Sequence, residues 1–432
     1  MDSAERRAET LPRATYRLQF RKEFGFDDAA ALAPYLARLG ISHVYASPYL
    51  KARPGSTHGY DIVDHDRLNP ELGDEAAFRR MSAAFAAHGL GQVLDFVPNH
   101  MGVGGADNPL WLNVLEWGPD SLYAGWFDID WDPDRRYLQD KLLIPFLGDQ
   151  YGVELERGHL RLQFDADHGT FAVWAYAVHK LPICPLDYAR ILGQDHPVLE
   201  RLGDSFAGLR AWRPQIERRA AELKTELAAL AREDPAVRTA IDEAVARLTG
   251  QVDDLHSWRH LFRLIADQFW RPAHFRVAAD DINYRRFFNI NELAGLRMEL
   301  DDVFDHAHQL VFRLLADGTV TGLRIDHIDG LLDPKAYLNR LREGAPRRDF
   351  YLVTEKILAA HEGLREDWPV DGTTGYEFAR LVLGFLVDPA GERPLTEAYE
   401  RFIGVAPVFS EVVRQSKLRI MENEMASELN VL

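Results

Sequence analysis

Along the first hundred residues, short β-prone apolar runs alternate with stretches whose apolar positions recur at helical spacing. Thr15–Phe20 reads as a strand, Asp27 or Asp28 caps a helix through Leu39 that Gly40 closes, and His43–Ser47 is a second strand. Asp74 then caps a helix to His88 that Gly89 ends, and Gln92–Val97 is a third strand. Strand, helix, strand, helix, strand with short connections is the signature of a parallel sheet built from βαβ units. The rhythm returns near Leu300: a helix over Met298–Ala316, a strand over Thr319–Asp326, a helix over Pro334–Gly344, a strand over Tyr351–Glu355 and a weak sixth strand near Pro369–Gly372. A closed (β/α)₈ barrel needs eight strands. The pattern therefore predicts an α/β fold, a TIM-type barrel that is incomplete in this chain, with about six strands.

Between the two blocks lies a long interruption, about residues 102–281. It opens loop-rich, carrying Trp111, Trp117, Trp126 and Trp131, and turns helical from about Leu199. Ile216, Ala220, Leu223, Leu227 and Leu230 fall on one helical stripe, and Asp234-Pro235 supplies a cap and a first-turn proline. Val237, Ile241, Ala244 and Leu248 repeat the stripe up to Gly250, which predicts a helical hairpin packed on its neighbours. Past Gly375 the pattern is mostly helical, and Leu418, Met421, Met425, Leu429 and Leu432 hold an apolar stripe with no glycine to cap it. The divisions are 1–101 for the first barrel strands, 102–281 for a large, mostly helical insertion after the third strand, 282–378 for the continued barrel, and 379–432 for a helical segment that looks cut short.

Composition bounds the partners. Lys plus Arg number 50 against 67 Asp plus Glu, a net charge of −17 over 432 residues. A binder of nucleic-acid phosphates carries a basic face instead, so no nucleic-acid partner is predicted, and a neutral or cationic ligand fits. The single Cys184 cannot form an internal disulfide, and the charged Met1–Arg7 leads into no apolar run. No apolar stretch approaches the ~20 residues of a membrane helix. These features predict a soluble, cytoplasmic protein without a membrane partner.

The residues that could carry chemistry sit at strand ends. Arg324 and Asp326 are two apart, so both side chains point to one face of a strand, and Asp326 falls where that strand meets its loop. Glu355 closes the next apolar run. The C-terminal ends of neighbouring barrel strands converge on one mouth, which brings the two acids together. Carboxyls roughly 5–5.5 Å apart suit a retaining glycosidase-type displacement, one as nucleophile and the other as acid/base. Arg324 is expected to keep Asp326 ionised, and Glu355 to hold its proton near neutrality. Asp95 lies inside an apolar strand, where an unpaired carboxylate is costly, so a partner such as Arg324 is expected. Asn99 and His100 follow at the mouth end of that strand, and Tyr60 offers an aromatic ring of the kind sugars stack on. Taken singly, each reads equally as a strand-end salt bridge or a loop residue.

Taken together, Asp95–His100, Gly322–Asp326 and Val353–Glu355 resemble, in order, three signature regions of the α-amylase superfamily of retaining α-glucoside enzymes. Within it the chain is similar to the malto-oligosyltrehalose synthases, through Thr15–Phe20, Leu142–Gly148, Asp281–Phe288, Asn291–Arg297 and Thr373–Phe378. The resemblance implies Asp326 as nucleophile and Glu355 as general acid/base. It implies Tyr60, His100, Arg324 and His327 as substrate-binding residues, and Asp95 and Asn99 as structural support of the site. It further implies an isomerisation in trehalose biosynthesis: the reducing-end α-1,4 bond of a maltodextrin breaks, and the freed glucose attacks the glycosyl-enzyme through its anomeric hydroxyl. An α,α-1,1 trehalose end results. Water must be excluded meanwhile, and the insertion is the expected lid. The implied pathway partner is malto-oligosyltrehalose trehalohydrolase.

One departure bears on activity. The family's third catalytic Asp follows a His beyond the sixth strand, and no His occurs between Phe378 and Leu432. The chain is therefore expected to be an N-terminal portion with little activity of its own. Two alternatives stay open: an α-amylase-like hydrolase of α-1,4-glucans, and an inactive maltodextrin-binding protein.

No cofactor and no metal is predicted. Asp128, Asp130, Asp132 and Asp134 alternate as in a calcium loop, but Pro133 stands where the glycine belongs and Gln139 at the twelfth position. His256 and His260 stand four apart with Ser257 in place of the zinc-protease Glu. Gly102–Gly105 lacks the later glycine of a dinucleotide loop. Asn99 matches a calcium position of some amylases, which leaves that one site undecided.

Overall fold

The computed structural model describes residues 11–212 and 215–432; the charged Met1–Arg7 stretch lies outside the described residues. Six strands form one parallel sheet whose spatial order is the chain order: β1 (Thr15–Leu18), β2 (His43–Ala46), β3 (Gly91–Phe96), β4 (Gly322–Ile325), β5 (Tyr351–Thr354) and β6 (Gly372–Thr373). Helices α1 (Phe26–Arg38), α2 (Glu75–Ala87), α3 (Asp301–Ala316) and α4 (Pro334–Gly344) fill the crossovers. This is an incomplete TIM barrel. β4 is buried at every position and β3 at all but Gly91, as parallel strands covered on both faces must be. Register sets Asp95 beside Arg324 across β3–β4, and Arg324 beside Val353 across β4–β5.

Helix boundaries follow local chemistry. Asp74 caps α2 by accepting the Ala77 N–H at 2.8 Å, and Phe78, Met81 and Phe85 form its buried face. For α1 the expected aspartate cap is corrected to Gly25. A Cβ at Gly25 would stand 2.4 Å from the Leu72 carbonyl oxygen, so only glycine fits there. Asp27 and Asp28 lie in the first turn instead, where Asp28 accepts the Gly25 N–H at 2.9 Å and both acids offset the helix dipole.

The chain divides into two compact units. The first runs to Gly102 and takes in Arg286–Phe288 and Leu293–Glu422; the second comprises Val103–Arg285, Asn289–Glu292 and Asn423–Leu432. Within the second, Ile216–Glu233 and Pro235–Leu248 form consecutive helices, and Asp234 caps the latter by accepting the Ala236 N–H at 2.8 Å. The part read as loop-rich also carries strands. Leu160–Asp165, Thr170–Ala175 and His179–Pro182 make an antiparallel sheet, and Trp270–His274 pairs parallel with Leu142–Leu147.

The C-terminal stripe is corrected too. It is not one helix: Phe409–Glu422 and Ala426–Val431 are separated by a break at residues 423–425. Tyr376–Phe385, Glu392–Ile403 and Phe409–Glu422 bury none of their residues, and Phe385 and Phe402 are each 88% exposed. Among the described residues no helix is long and apolar enough to cross a membrane.

Candidate active site

The site grows out of one buried carboxylate. Asp95, near the end of β3, is 1% exposed and collects four hydrogen bonds. Oδ1 accepts Arg324 Nη1 at 2.7 Å, while Oδ2 accepts Arg17 Nη1 at 3.0 Å, the Tyr45 hydroxyl at 3.2 Å and the Tyr60 hydroxyl at 2.7 Å. Two cations and two hydroxyls thus offset the cost of burying this charge. Arg17 also donates to the Tyr60 hydroxyl at 2.9 Å, and its guanidinium lies over the Tyr45 ring, 4.4 Å from the centroid. Tyr60 is therefore fixed by its hydroxyl in a half-buried position, its ring stacked at 6.0 Å on that of His58.

Arg324 carries the network to the two candidate catalytic acids. Its Nη1 donates to Asp326 Oδ1 at 2.5 Å, and its Nη2 lies 3.1 Å from Glu355 Oε1. One planar guanidinium thus bridges both carboxyls, which confines them to the reach of a single fork. Asp326 directly follows β4 and is anchored by its N–H to Phe96 O at 2.9 Å; Glu355 directly follows β5 and donates its N–H to Ile325 O at 2.8 Å. Asp326 is 5% exposed, whereas the Glu355 side chain is 21% exposed. Glu355 Oε2 accepts the His327 N–H at 2.9 Å, and the Tyr376 hydroxyl reaches Oε1 at 3.5 Å.

Electrostatics differ from the simplest expectation. Burial dominates at Asp326 and, with the neighbouring charges of Asp95 and Glu355, pushes its carboxyl up to about 7 despite the contact with Arg324. Arg324 stands among three carboxylates, so its charge is shared. Sequence shows the cation beside Asp326; it does not show the dry surroundings. Burial and the neighbouring Asp95 carboxylate push the Tyr60 hydroxyl well up, so it stays a donor.

His327 adopts a left-handed backbone at φ 45°, an uncommon conformation outside glycine and small polar residues. Gly330 makes room for it: a Cβ there would meet His327 Cδ2 at 2.3 Å and Asn99 Oδ1 at 2.5 Å. Asn99 and His100 are both buried, Asn99 Nδ2 and His100 Nδ1 being 3.2 Å apart. Two aromatic and two polar residues escaped the sequence reading of the site. Phe287 packs on His100 at 4.6 Å and on His327 at 4.8 Å, and Phe288 meets His327 at 5.4 Å. Phe288 is itself left-handed, at φ 50°, and 57% exposed. A bulky aromatic held this way beside a reactive cluster marks strain of the kind found at functional sites. Arg17 and Tyr45 were missed as well, although a charged residue within a β-prone run, as at Arg17, is the same signal that singles out Asp95. Among the described residues no group of three or more His, Cys, Asp or Glu side chains is arranged to hold a metal ion.

The family model "Alpha amylase, catalytic domain" matches residues 31–141. A protein of Mycobacterium tuberculosis (strain ATCC 25618 / H37Rv) that carries the name maltooligosyl trehalose synthase is 35% identical over 426 residues, 97% of this chain and 44% of its own length. The solved structure of maltooligosyltrehalose synthase from Arthrobacter ramosus superposes with a TM-score of 0.73 at 33% identity, covering 97% of this chain and 44% of that one. A structure titled DSM5389 glycosyltrehalose synthase gives 0.74 at 33% identity, over 96% and 47%. The chain spans less than half the length of these relatives. With Asp326 and Glu355 at the ends of adjacent parallel strands, the chain is similar over residues 31–141 to the catalytic domain of alpha amylases and, over nearly its full length, to part of the maltooligosyl trehalose synthases.

Proposed function

We propose that this chain carries the nucleophile and the acid/base of a retaining glucosylmutase that gives maltodextrins a trehalose end. The observation that carries this reading is the Arg324 guanidinium bridging Asp326 and Glu355. Glu355 donates a proton to the oxygen of the reducing-end α-1,4 bond while Asp326, acting in the ionised form that gains ground as pH rises through about 7, attacks the anomeric carbon, giving a glycosyl ester and free glucose. Glu355, now a base, takes the proton of the glucose anomeric hydroxyl as that oxygen displaces Asp326. The bond formed is α,α-1,1, and both acids return to their starting states. Asp95 holds Arg324 and Tyr60 in place, and His100, His327 and Tyr60 line the sugar side. Phe287 and Phe288 supply an apolar wall against which a freed glucose can turn without water.

In this reading residues 102–281 are the inserted subdomain that helps exclude water, the chain works in the cytoplasm, and a malto-oligosyltrehalose trehalohydrolase consumes the product. The single, buried Cys184 supports a reducing compartment. Incubation with maltopentaose tests the reading. A non-reducing, trehalose-ended product that disappears in Asp326→Asn and Glu355→Gln is expected; free glucose as the main product would indicate a hydrolase instead.

A further inference from the structure

The second unit encloses a cavity of about 330 Å³, all of whose lining residues belong to that unit. Its walls are tied together by their own hydrogen bonds. The Tyr284 hydroxyl donates to the Asn291 carbonyl at 2.6 Å, Asn291 Nδ2 donates to the Pro145 carbonyl at 3.3 Å, and the Lys180 N–H donates to the Gly105 carbonyl at 3.2 Å. On one wall the rings of Phe146 and His179 stack at 4.3 Å and 19°, giving a flat aromatic face. Trp111 is set edge-on against Tyr284, 5.3 Å between centroids. Lys180 and Glu292 contribute one charge of each sign to the lining.

This combination is selective. A phosphate or carboxylate ligand calls for a cluster of cations, and a cation calls for converging carboxylates; the lining has neither. A flat aromatic face with a donor and an acceptor of opposite charge suits a neutral polyhydroxylated ring, whose C–H face covers the aromatic while its hydroxyls bond to the charged groups. The volume lies at the lower end of the roughly 300–1,000 Å³ usual for small-molecule sites. Three segments that carry the family resemblance meet here: Leu142–Gly148 through Phe146, Asp281–Phe288 through Tyr284, and Asn291–Arg297 through Glu292.

We propose that this cavity is a second saccharide site that binds a short α-1,4-glucan segment. Its neutral-sugar chemistry stands on the cavity alone; the choice of α-glucan rests on the proposed function. Hydrogen exchange of the full chain with and without maltotriose tests it. Slower exchange is expected at residues 143–147 and 179–181, with binding at least tenfold weaker in Phe146→Ala and weakened in the surface-preserving Lys180→Gln. Slowing at residues 96–101 and 322–330 should survive both substitutions. Slowing confined to those barrel segments, or unchanged in both variants at 143–147, would overturn the second site and leave the catalytic reading intact. Slowing at 143–147 with none at 322–330 would uphold the second site and count against the catalytic reading.

Discussion

Two regions of the first unit treat their difficult side chains in opposite ways. In β3–β5, charged groups are buried and each is answered: Asp95 by Arg17, Arg324, Tyr45 and Tyr60, and Asp326 and Glu355 by Arg324. In Tyr376–Glu422, apolar side chains stand at helical spacing, yet Phe385, Phe402 and Phe409 remain at least 80% exposed. The first region is finished within this chain. The second is patterned for burial against something, and exposed apolar surface of this extent marks a contact face. Helical periodicity therefore announces that a face is to be covered without saying by what. A buried ion network has to name its partners, because an unanswered charge would be costly.

The contrast can be broken from either side, most forcefully at the network. Asp95→Ala leaves two guanidinium groups without their shared anion and should cost about 3–5 kcal/mol, read from the urea unfolding midpoint; a loss near zero would mean that the cluster is solvated and loosely held. Next comes Asp326. Its carboxyl is pushed up to about 7 from an ordinary 3.8, so the folded chain keeps a proton that the unfolded chain has released. Stability from this group is full below the unfolded value and is lost as pH rises through about 7. Asp326→Asn removes that charge, and should raise stability by about 1–3 kcal/mol at pH 8, the gain shrinking as pH falls toward the ordinary carboxylate range. A gain that does not depend on pH would point to packing instead. The smallest effect is expected at the exposed face. Phe385→Ser with Phe402→Ser should change stability by no more than about 0.5 kcal/mol while reducing self-association in sedimentation. A large destabilisation there would show that the face is already covered.

Much of this was legible before any coordinates. The sheet could be read because each strand is a short apolar run bounded by helix signals, and Asp95 stood out as a charge where charges do not belong. Less could be read where geometry is non-local. Phe287 reaches His100 from far along the chain, a contact no spacing rule shows. Arg17 faces Asp95 only because of the β1–β2–β3 register. The raised carboxyl of Asp326 is a property of its burial, which its neighbours in sequence do not display. Leu160–Asp165 was readable and went unread: its first four positions alternate buried and exposed, a strand signal inside a stretch taken for loop.

The central claim is that Asp326 forms the glycosyl ester and Glu355 serves it as acid/base. A fluorinated glucosyl fluoride carries its own good leaving group and so depends less on acid catalysis, and it tests the claim through mass spectrometry of the digested Glu355→Gln chain. The account predicts one added glycosyl group on the peptide containing Asp326, absent when Asp326 is replaced by Asn. A label on any other residue, or one that persists in Asp326→Asn, would contradict it.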